Sequence, residues 1–140
     1  MSATDKVFSG SVPSIYESHM LPMLFQPYAA ELAERVAAEA PLQVLETACG
    51  TGAVTAELLK RLPRDSALTA TDLNQAMLDI AAAKLPSGAV RMRACDAMQL
   101  PFPAQSYDAV VCQFGVMFFP DKPRAYREAR RVLRPSPLLD

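Results

Sequence analysis

The first strong pattern in the chain is an apolar stripe with helical spacing that begins after Pro27. Apolar residues recur at intervals of three and four, while charged residues occupy the other faces. The stripe consists of Ala29, Leu32, Ala33, Val36 and Ala37. It predicts an amphipathic helix, preceded by a shorter helix over residues 14–24 that ends where prolines interrupt the pattern.

Further along, short apolar segments with strand character alternate with longer helical patterns. The predicted strands are Gln43–Glu46, Ala67–Thr71, Ala89–Ala94 and Tyr107–Gln113. The predicted helices between and after them are Ala53–Leu62, Asn74–Leu85 and Asp121–Leu133. Strands that alternate with helices are typical of parallel βαβ units. The sequence therefore predicts an α/β fold with a parallel sheet, helices on both faces and an N-terminal helical segment.

Length and composition fit one folded domain. The 140 residues are 51% hydrophobic and 21% charged, a balance typical of globular chains. Apolar runs stay well short of the ~20 residues that a membrane helix needs. The N-terminal segment MSATDKVFSG lacks the basic region and apolar core of a secretory signal. We therefore expect a cytoplasmic protein without a membrane partner.

Charge and cysteine content narrow the class of ligand. A formal net charge of −1 gives no overall attraction to nucleic acid. The basic run on the last predicted helix is not accompanied by an interleaved aromatic platform, so we interpret it as a solvated face. Cys49, Cys95 and Cys112 are odd in number and widely spaced, which favours reduced thiols over disulfides or a zinc site. Small-molecule chemistry is the class that remains.

The strongest candidate for such chemistry is the segment VLETACGTG, which runs from Val44 to Gly52. Gly50 and Gly52 permit a tight turn and allow a ligand to approach main-chain N–H groups. Glu46 adds a negative charge at the end of the preceding strand. The pattern predicts a strand, a binding loop and a helix, with a preference for a cationic ligand.

Acidic residues also follow the next two predicted strands. Asp72 lies twenty residues after Gly52, where doubly wound folds place an acid that accepts hydrogen bonds from ribose hydroxyls. Its alternative role, capping the next helix, is already filled by Asn74. Asp96 follows the third strand, and its alternative role is that of a turn former. Parallel strands bring these ends to one edge of the sheet, which favours a shared ligand site.

Two kinds of cofactor compete for this edge. A dinucleotide requires the pattern G-x-G-x-x-G and a helix N-terminus that receives its pyrophosphate. Here Thr55 occupies the position of the third glycine, and Glu46 would repel a pyrophosphate while attracting an ammonium or sulfonium group. The residues favour a cationic cofactor, and an NAD-dependent dehydrogenase is the weaker alternative.

Taken together, these motifs resemble class I S-adenosylmethionine-dependent methyltransferases of type 11, the group that includes ubiquinone/menaquinone-biosynthesis enzymes. The similar segments are VLETACGTG, TDLNQAML, CDAMQLPFPAQSYDAVVCQFGVMFF and EARRVLRP, between about Tyr28 and Pro135. The resemblance implies a Rossmann-like sheet with strand order 3-2-1-4, S-adenosyl-L-methionine as cofactor, and methyl transfer to a small-molecule acceptor. It implies no metal and identifies no catalytic side chain.

By motif position, the resemblance also implies a set of cofactor-binding residues. These are Glu46, Ala48, Gly50, Gly52, Asp72, Leu73, Met77, Asp96, Ala97 and Gln113. Glu46 faces the methionine ammonium through water or backbone, Gly50 and Gly52 line the methionine moiety, and Ala48 replaces the family's usual first glycine. Asp72 holds the ribose, the next two residues pack on the adenine, Asp96 and Ala97 read its amino edge, and Gln113 lies near the methyl donor.

The resemblance divides the chain into an N-terminal helical lid over residues 1–40, a cofactor-binding core over 41–135, and an unrelated tail over 136–140. The similarity ends at Pro135, before the family's fifth strand, so we expect an incomplete sheet. Its fourth strand, Tyr107–Gln113, would then have an unpaired edge that self-associates, and Val132 and Leu133 would lose part of their cover. A truncated, non-catalytic cofactor-binding fragment or interaction module is therefore the alternative to an active methyltransferase.

Overall fold

A computed structural model of the protein describes residues 26–112 and 120–135, which form an alternating series of helices and strands. The helices are α1 Gln26–Ala38, α2 Ala53–Arg61, α3 Gln75–Lys84 and α4 Lys122–Val132. The strands are β1 Gln43–Glu46, β2 Ala67–Asp72, β3 Arg91–Ala94 and β4 Ala109–Val111. Each predicted element within the described residues is present, although β3 and β4 are shorter than predicted.

The strands form one parallel sheet with the order β3-β2-β1-β4, as predicted. Because every strand runs in the same direction, all four carboxyl ends lie at one edge. Glu46, the last residue of β1, lies opposite Ala70 of β2 and Val111 of β4. Strand β2 continues for two more residues, so Asp72 extends past the end of β1.

Helices cover both faces of the sheet, as predicted. On one face, Ala29 and Ala33 of α1 and Leu58 of α2 pack with Val44 and Leu68 of the central strands. Helix α3 extends the same layer through Leu78, which packs against Ala70 and Cys49. On the other face, Val132 of α4 packs with Leu45, Leu100 and Tyr107. The binding loop after β1 therefore emerges between two packed layers.

The end of α4 corrects two expectations about the edge of the sheet. Val132 does not lose its cover, because it is fully buried. The edge is also not unpaired at Tyr107, whose N–H donates to the Val132 carbonyl (2.9 Å) and whose carbonyl accepts from the Arg134 N–H (2.8 Å). Leu133 leaves the helix in an extended conformation and forms a parallel bridge with Tyr107. The chain after α4 thus pairs with the backbone just before β4.

Several predicted features lie outside the described residues. They are the helix over 14–24, the candidate residue Gln113 and the tail over 136–140. The division of the chain at residues 40 and 135 stays a prediction. Within the proposed lid, α1 packs its buried alanines into the core beside α2.

Candidate functional site

The loop between β1 and α2 is held to the strands on both sides of β1. The Thr47 N–H donates to the Val111 carbonyl of β4 at 2.9 Å. On the other side, the Cys49 N–H donates to the Thr71 carbonyl of β2, also at 2.9 Å. These bonds extend the sheet's pairing into the loop, so the position of the loop follows from the register of the strands.

Two glycines in the loop are needed for different reasons. Gly52 has φ 92°, and a Cβ there would lie 3.0 Å from the Cβ of Ala81, so glycine lets α2 begin close against α3. Gly50 has φ 57°, but a Cβ there would meet no atom of the described residues within 4 Å. Gly52 therefore serves packing, while Gly50 faces open space that a ligand can occupy.

Ala48 also has a left-handed backbone, with φ 52°. An L-residue in this conformation costs about 1–2 kcal/mol relative to its right-handed conformation, whereas glycine adopts both readily. The position of the family's usual first glycine is therefore one where the backbone itself favours glycine. Nothing in the structure explains the alanine at this position.

Asp72 fastens the loop and the start of α3 with its two carboxylate oxygens. Oδ2 accepts the Gly50 N–H at 2.9 Å, and Oδ1 accepts the Asn74 N–H at 2.9 Å. Asn74 caps α3 by accepting the Ala76 N–H at 2.9 Å, which confirms that it fills the capping role. Each carboxylate oxygen has two lone pairs, so Asp72 retains capacity for two further donors.

Apolar side chains lie beside Asp72. Leu73 is 73% exposed, and Met77, in the first part of α3, is half-buried. A leucine this exposed leaves apolar area in contact with water, and covering it would be favourable. The pair provides an apolar surface next to an acceptor for hydroxyl groups.

Asp96 and Ala97 follow β3 at the same edge of the sheet. The Cys95 N–H donates to the Asp72 carbonyl at 3.0 Å, which places the third strand end beside the second. Asp96 Oδ1 accepts the Met98 N–H at 2.8 Å, so this residue does form a turn, as its alternative role predicts. Ala97 is buried. The adenine-reading role of both residues stays a prediction.

Glu46 lies beneath the loop, where it is 3% exposed. Its Oε1 accepts a hydrogen bond from the Thr55 hydroxyl in the first turn of α2. The pKa of Glu46 is raised to about 8. Burial is the largest cause, the Thr55 hydrogen bond partly offsets it, and the nearby Asp72 adds to it. The carboxyl is thus largely protonated at neutral pH, where the sequence predicts a fixed charge. In the ligand-free chain, the charge favouring a cation comes mainly from Asp72.

Helix α4 carries a side-chain clamp that the sequence analysis missed. Arg131 donates from Nη1 to the Phe102 carbonyl at 2.8 Å and from Nη2 to the Leu100 carbonyl at 2.9 Å. Glu128 accepts from Arg131 Nε at 2.8 Å and from the Leu100 N–H at 2.8 Å. The clamp fixes the segment that follows Asp96. The only sequence signal for the clamp was a glutamate three residues before an arginine, because the carbonyls that Arg131 reaches are distant in sequence.

A second missed cluster lies at the opposite end of the sheet. Asp108 accepts the N–H groups of Leu42 (3.1 Å) and Gln43 (2.9 Å) and pairs with Arg134 Nη1 at 2.8 Å. A cavity of about 540 Å³ lies here, lined in part by Val36 and by Asp108. It contains none of the predicted site residues. We assign Asp108 a structural role in joining the starts of β1 and β4.

Metal, membrane and thiol chemistry receive little support from the described residues. Within 26–112 and 120–135, no group of three or more His, Cys, Asp or Glu side chains is arranged to hold a metal ion. None of the helices in that part of the chain is both long and apolar enough to span a bilayer. None of the three cysteines forms a disulfide within the described residues, and burial is the main factor that raises the pKa of the Cys49 thiol above its usual range. That thiol is therefore a poor nucleophile.

Comparisons with known proteins agree with this geometry. Residues 44–136 match the family model described as a methyltransferase domain. The ubiquinone/menaquinone biosynthesis C-methyltransferase of Bordetella avium is 38% identical over 97 residues, which are 68% of this chain and 38% of that protein. The demethylmenaquinone methyltransferase of Thermotoga maritima is 43% identical over 94 residues, which are 67% of this chain and 40% of that protein.

A solved structure with a similar fold is an amino pentose methyltransferase from Micromonospora echinaspora, determined with S-adenosylmethionine bound. It has a TM-score of 0.73 and 28% identity, and the match covers 86% of this chain and 52% of that one. The chain spans about two-fifths of the length of the curated relatives it matches.

Proposed function

The chain belongs to the methyltransferase domain family, and from this membership we propose that it binds S-adenosylmethionine and transfers the methyl group to a small-molecule acceptor. The observation that carries the proposal is the bond between the Gly50 N–H and Asp72 Oδ2. It joins an open glycine turn to a carboxylate with unused lone pairs. This combination suits a ligand that has both a charged chain and a ribose.

The residues present fit such a cofactor. The space above Gly50 is open, Asp72 can accept two ribose hydroxyls, and exposed Leu73 offers an apolar surface for an adenine ring. The Cys95 N–H donates to the Asp72 carbonyl, and this link supports the proposal that the neighbouring Asp96 and Ala97 contribute to the adenine site. Gln113 lies outside the described residues, and its role near the methyl donor stays a prediction.

The part of the protein in methyl transfer is to bind and to orient. S-adenosylmethionine supplies a methyl group already activated on a sulfonium. Alignment of that group with an acceptor removes much of the entropic barrier, so no nucleophilic side chain is needed. In this chain, Asp72 and the backbone of Gly50 would hold the cofactor, and the catalytic contribution of any single side chain stays unassigned.

The acceptor is proposed as a small molecule of quinone-precursor type. The support is that the matched relatives are named for ubiquinone and menaquinone biosynthesis. The similar amino pentose enzyme is named for a different acceptor, so the shared fold does not determine the acceptor.

Calorimetric titration with S-adenosylmethionine and NAD, side by side, tests the cofactor. We expect saturable binding of S-adenosylmethionine and none of NAD; the reverse would favour the dehydrogenase alternative. A mass-spectrometric methyl-transfer assay with a demethylated quinone then tests the reaction. Binding without transfer would favour the non-catalytic fragment.

We also propose that the chain self-associates through β4, which is an edge strand of the described sheet. The part of the edge that supports this proposal is Ala109–Val111, since Tyr107 already pairs with Leu133. Light scattering during size-exclusion chromatography tests this: concentration-dependent mass supports it, and a constant monomer mass contradicts it. A cytoplasmic location stays a prediction from the N-terminal sequence.

A further inference from the structure

We propose that Glu46 is a proton-releasing site coupled to ligand binding: its carboxyl carries a proton in the ligand-free chain and loses it when a cationic cofactor binds above the loop. The step breaks the carboxyl O–H bond, and the proton passes to the buffer. The carboxylate left behind then faces the positive ligand. The proposal rests on the proposed function, and it adds a property that binding alone does not require.

The surroundings of Glu46 favour the neutral acid. The side chain is 3% exposed, and moving a carboxylate out of water is costly unless a cation or several donors compensate. Among the described residues its hydrogen-bond partner is the Thr55 hydroxyl. A single neutral donor compensates only part of that cost.

The ionisable groups near Glu46 oppose a negative charge on it. Asp72, at the end of β2, acts on it as a like charge, and the Cys49 thiol of the loop offers no positive charge, because burial and both carboxyl groups raise its pKa. On its other sides lie Val111 of β4 and Ala70 of β2, both apolar. No Lys, Arg or His within the described residues compensates the carboxylate.

Two features favour the anion: the hydrogen bond from the Thr55 hydroxyl, which lowers the pKa of Glu46, and the start of α2. Thr55 lies in the first turn of α2, and a helix N-terminus stabilises nearby negative charge modestly. Burial outweighs both contributions and brings the pKa of Glu46 to about 8. A group that titrates so near neutrality responds strongly to a new charge, because a nearby cation favours the ionised form.

Binding of a cation would therefore be linked to proton release. S-adenosylmethionine carries a sulfonium and an ammonium group, so its arrival above the loop would stabilise the Glu46 carboxylate. By linkage, its affinity should rise with pH up to the point where the free carboxyl has ionised. Glu46 and Thr55 would then make affinity for a charged ligand depend on pH without direct contact with solvent.

Titration calorimetry with S-adenosylmethionine near pH 7, in two buffers of different ionisation enthalpy, counts the protons released. We expect the wild type to release about 0.5 to 1 proton per ligand bound. Glu46→Gln should bind with close to zero release, since the amide keeps the size and the Thr55 contact but cannot ionise. Glu57→Gln is the matched control, because Glu57 is also buried but is paired with Arg61. It should release as many protons as the wild type.

Ligand-free wild-type protein provides a second readout. We expect the carboxyl carbon of Glu46, followed by NMR in glutamate-labelled protein, to titrate near neutrality. A carboxyl that titrates at the ordinary value for glutamate would overturn the proposal. Binding of S-adenosylmethionine without proton release, or equal release by Glu46→Gln and wild type, would also overturn it. Absence of any binding would instead overturn the proposed function and this coupling with it, while the ligand-free titration still locates the proton.

Discussion

The acidic residues that end β1 and β2 lie on adjacent strands but in different surroundings. Glu46 is buried beneath the loop with the Thr55 hydroxyl as its partner. Asp72 is half-buried at the surface of the site and accepts N–H groups from Gly50 and Asn74. The register explains the difference, because β2 runs two residues beyond the residue opposite Glu46.

The comparison teaches that a residue's position in a motif does not determine whether its side chain is buried or protonated. Both acids end a buried strand and precede a helix, yet only Asp72 presents a carboxylate toward the open side of the loop. The N–H groups of Thr47 and Cys49 donate to strand carbonyls and that of Gly50 donates to the Asp72 carboxylate, and these three bonds place the loop over one acid and beside the other. Burial then decides which acid keeps its proton.

The largest expected effect is a pH dependence of stability that belongs to Glu46. Its pKa is raised from 4.5 to about 8 on folding, so the folded state binds the proton more tightly. Its stabilising contribution is full below pH 4.5 and is lost as pH rises toward about 8, at about 1.4 kcal/mol per unit. Urea unfolding of wild type and Glu46→Gln across this window measures the slope.

The difference between the two slopes isolates Glu46 from the other groups. Glu128 acts in the opposite direction, since hydrogen bonds from Arg131 lower its pKa and its contribution is lost in acid. Glu57→Gln should keep the wild-type slope. The free energy of unfolding should be measured at steps of about one pH unit between about pH 5 and 8. If wild type and Glu46→Gln lose equal stability over this range, the buried carboxyl is not the protonated group.

A second expected difference separates the two glycines of the loop. Gly52→Ala combines a left-handed alanine with a contact to Ala81 and should lower the free energy of unfolding by about 2–4 kcal/mol. Gly50→Ala should lower it by only about 1–2 kcal/mol, but its methyl group would enter the ligand space and weaken cofactor binding. Chemical unfolding and ligand titration of both variants check this. Equal effects on stability and binding would contradict the separate roles.

The third expected effect concerns the clamp behind the end of β3. Arg131→Gln removes bonds to the Leu100 and Phe102 carbonyls and the ion pair with Glu128. Because the pair is partly exposed, we expect a loss of about 1–2 kcal/mol in the free energy of unfolding. Arg130→Gln, on an exposed position of the same helix, should change it by less than about 0.5 kcal/mol. Equal values for the two variants would mean that the clamp contributes nothing.

The smallest expected effect is a gain in stability from Ala48→Gly. Glycine relieves the left-handed backbone at φ 52°, which should raise the free energy of unfolding by about 1 kcal/mol. Ala82→Gly, at an exposed position inside α3, is the control and should lower it by about 1 kcal/mol. Differential scanning calorimetry of both variants measures the two signs. A loss of stability in Ala48→Gly would show that contacts of the alanine side chain stabilise the fold by more than the left-handed backbone costs.

Periodicity and turn chemistry were enough to predict the elements and, with the family resemblance, their order. Alternating apolar patterns determine which segments form strands and helices, and Asn74 was correctly predicted to cap α3. The sequence could not show that Glu46 is buried, because that depends on how the loop crosses the strand ends. It also could not show that Tyr107 pairs with Leu133 or that Arg131 reaches Leu100, since these contacts join segments far apart in the chain.

The central claim is that the loop and Asp72 together bind S-adenosylmethionine, and titration of wild type and Asp72→Ala tests it most directly. Loss of two charge-assisted hydrogen bonds, at about 1.5 kcal/mol or more each, predicts an affinity weaker by about a hundredfold or more. Asp79→Ala removes the same charge from an exposed position of α3 and should bind as wild type does. A cooperatively folded Asp72→Ala variant with unchanged affinity would contradict the claim.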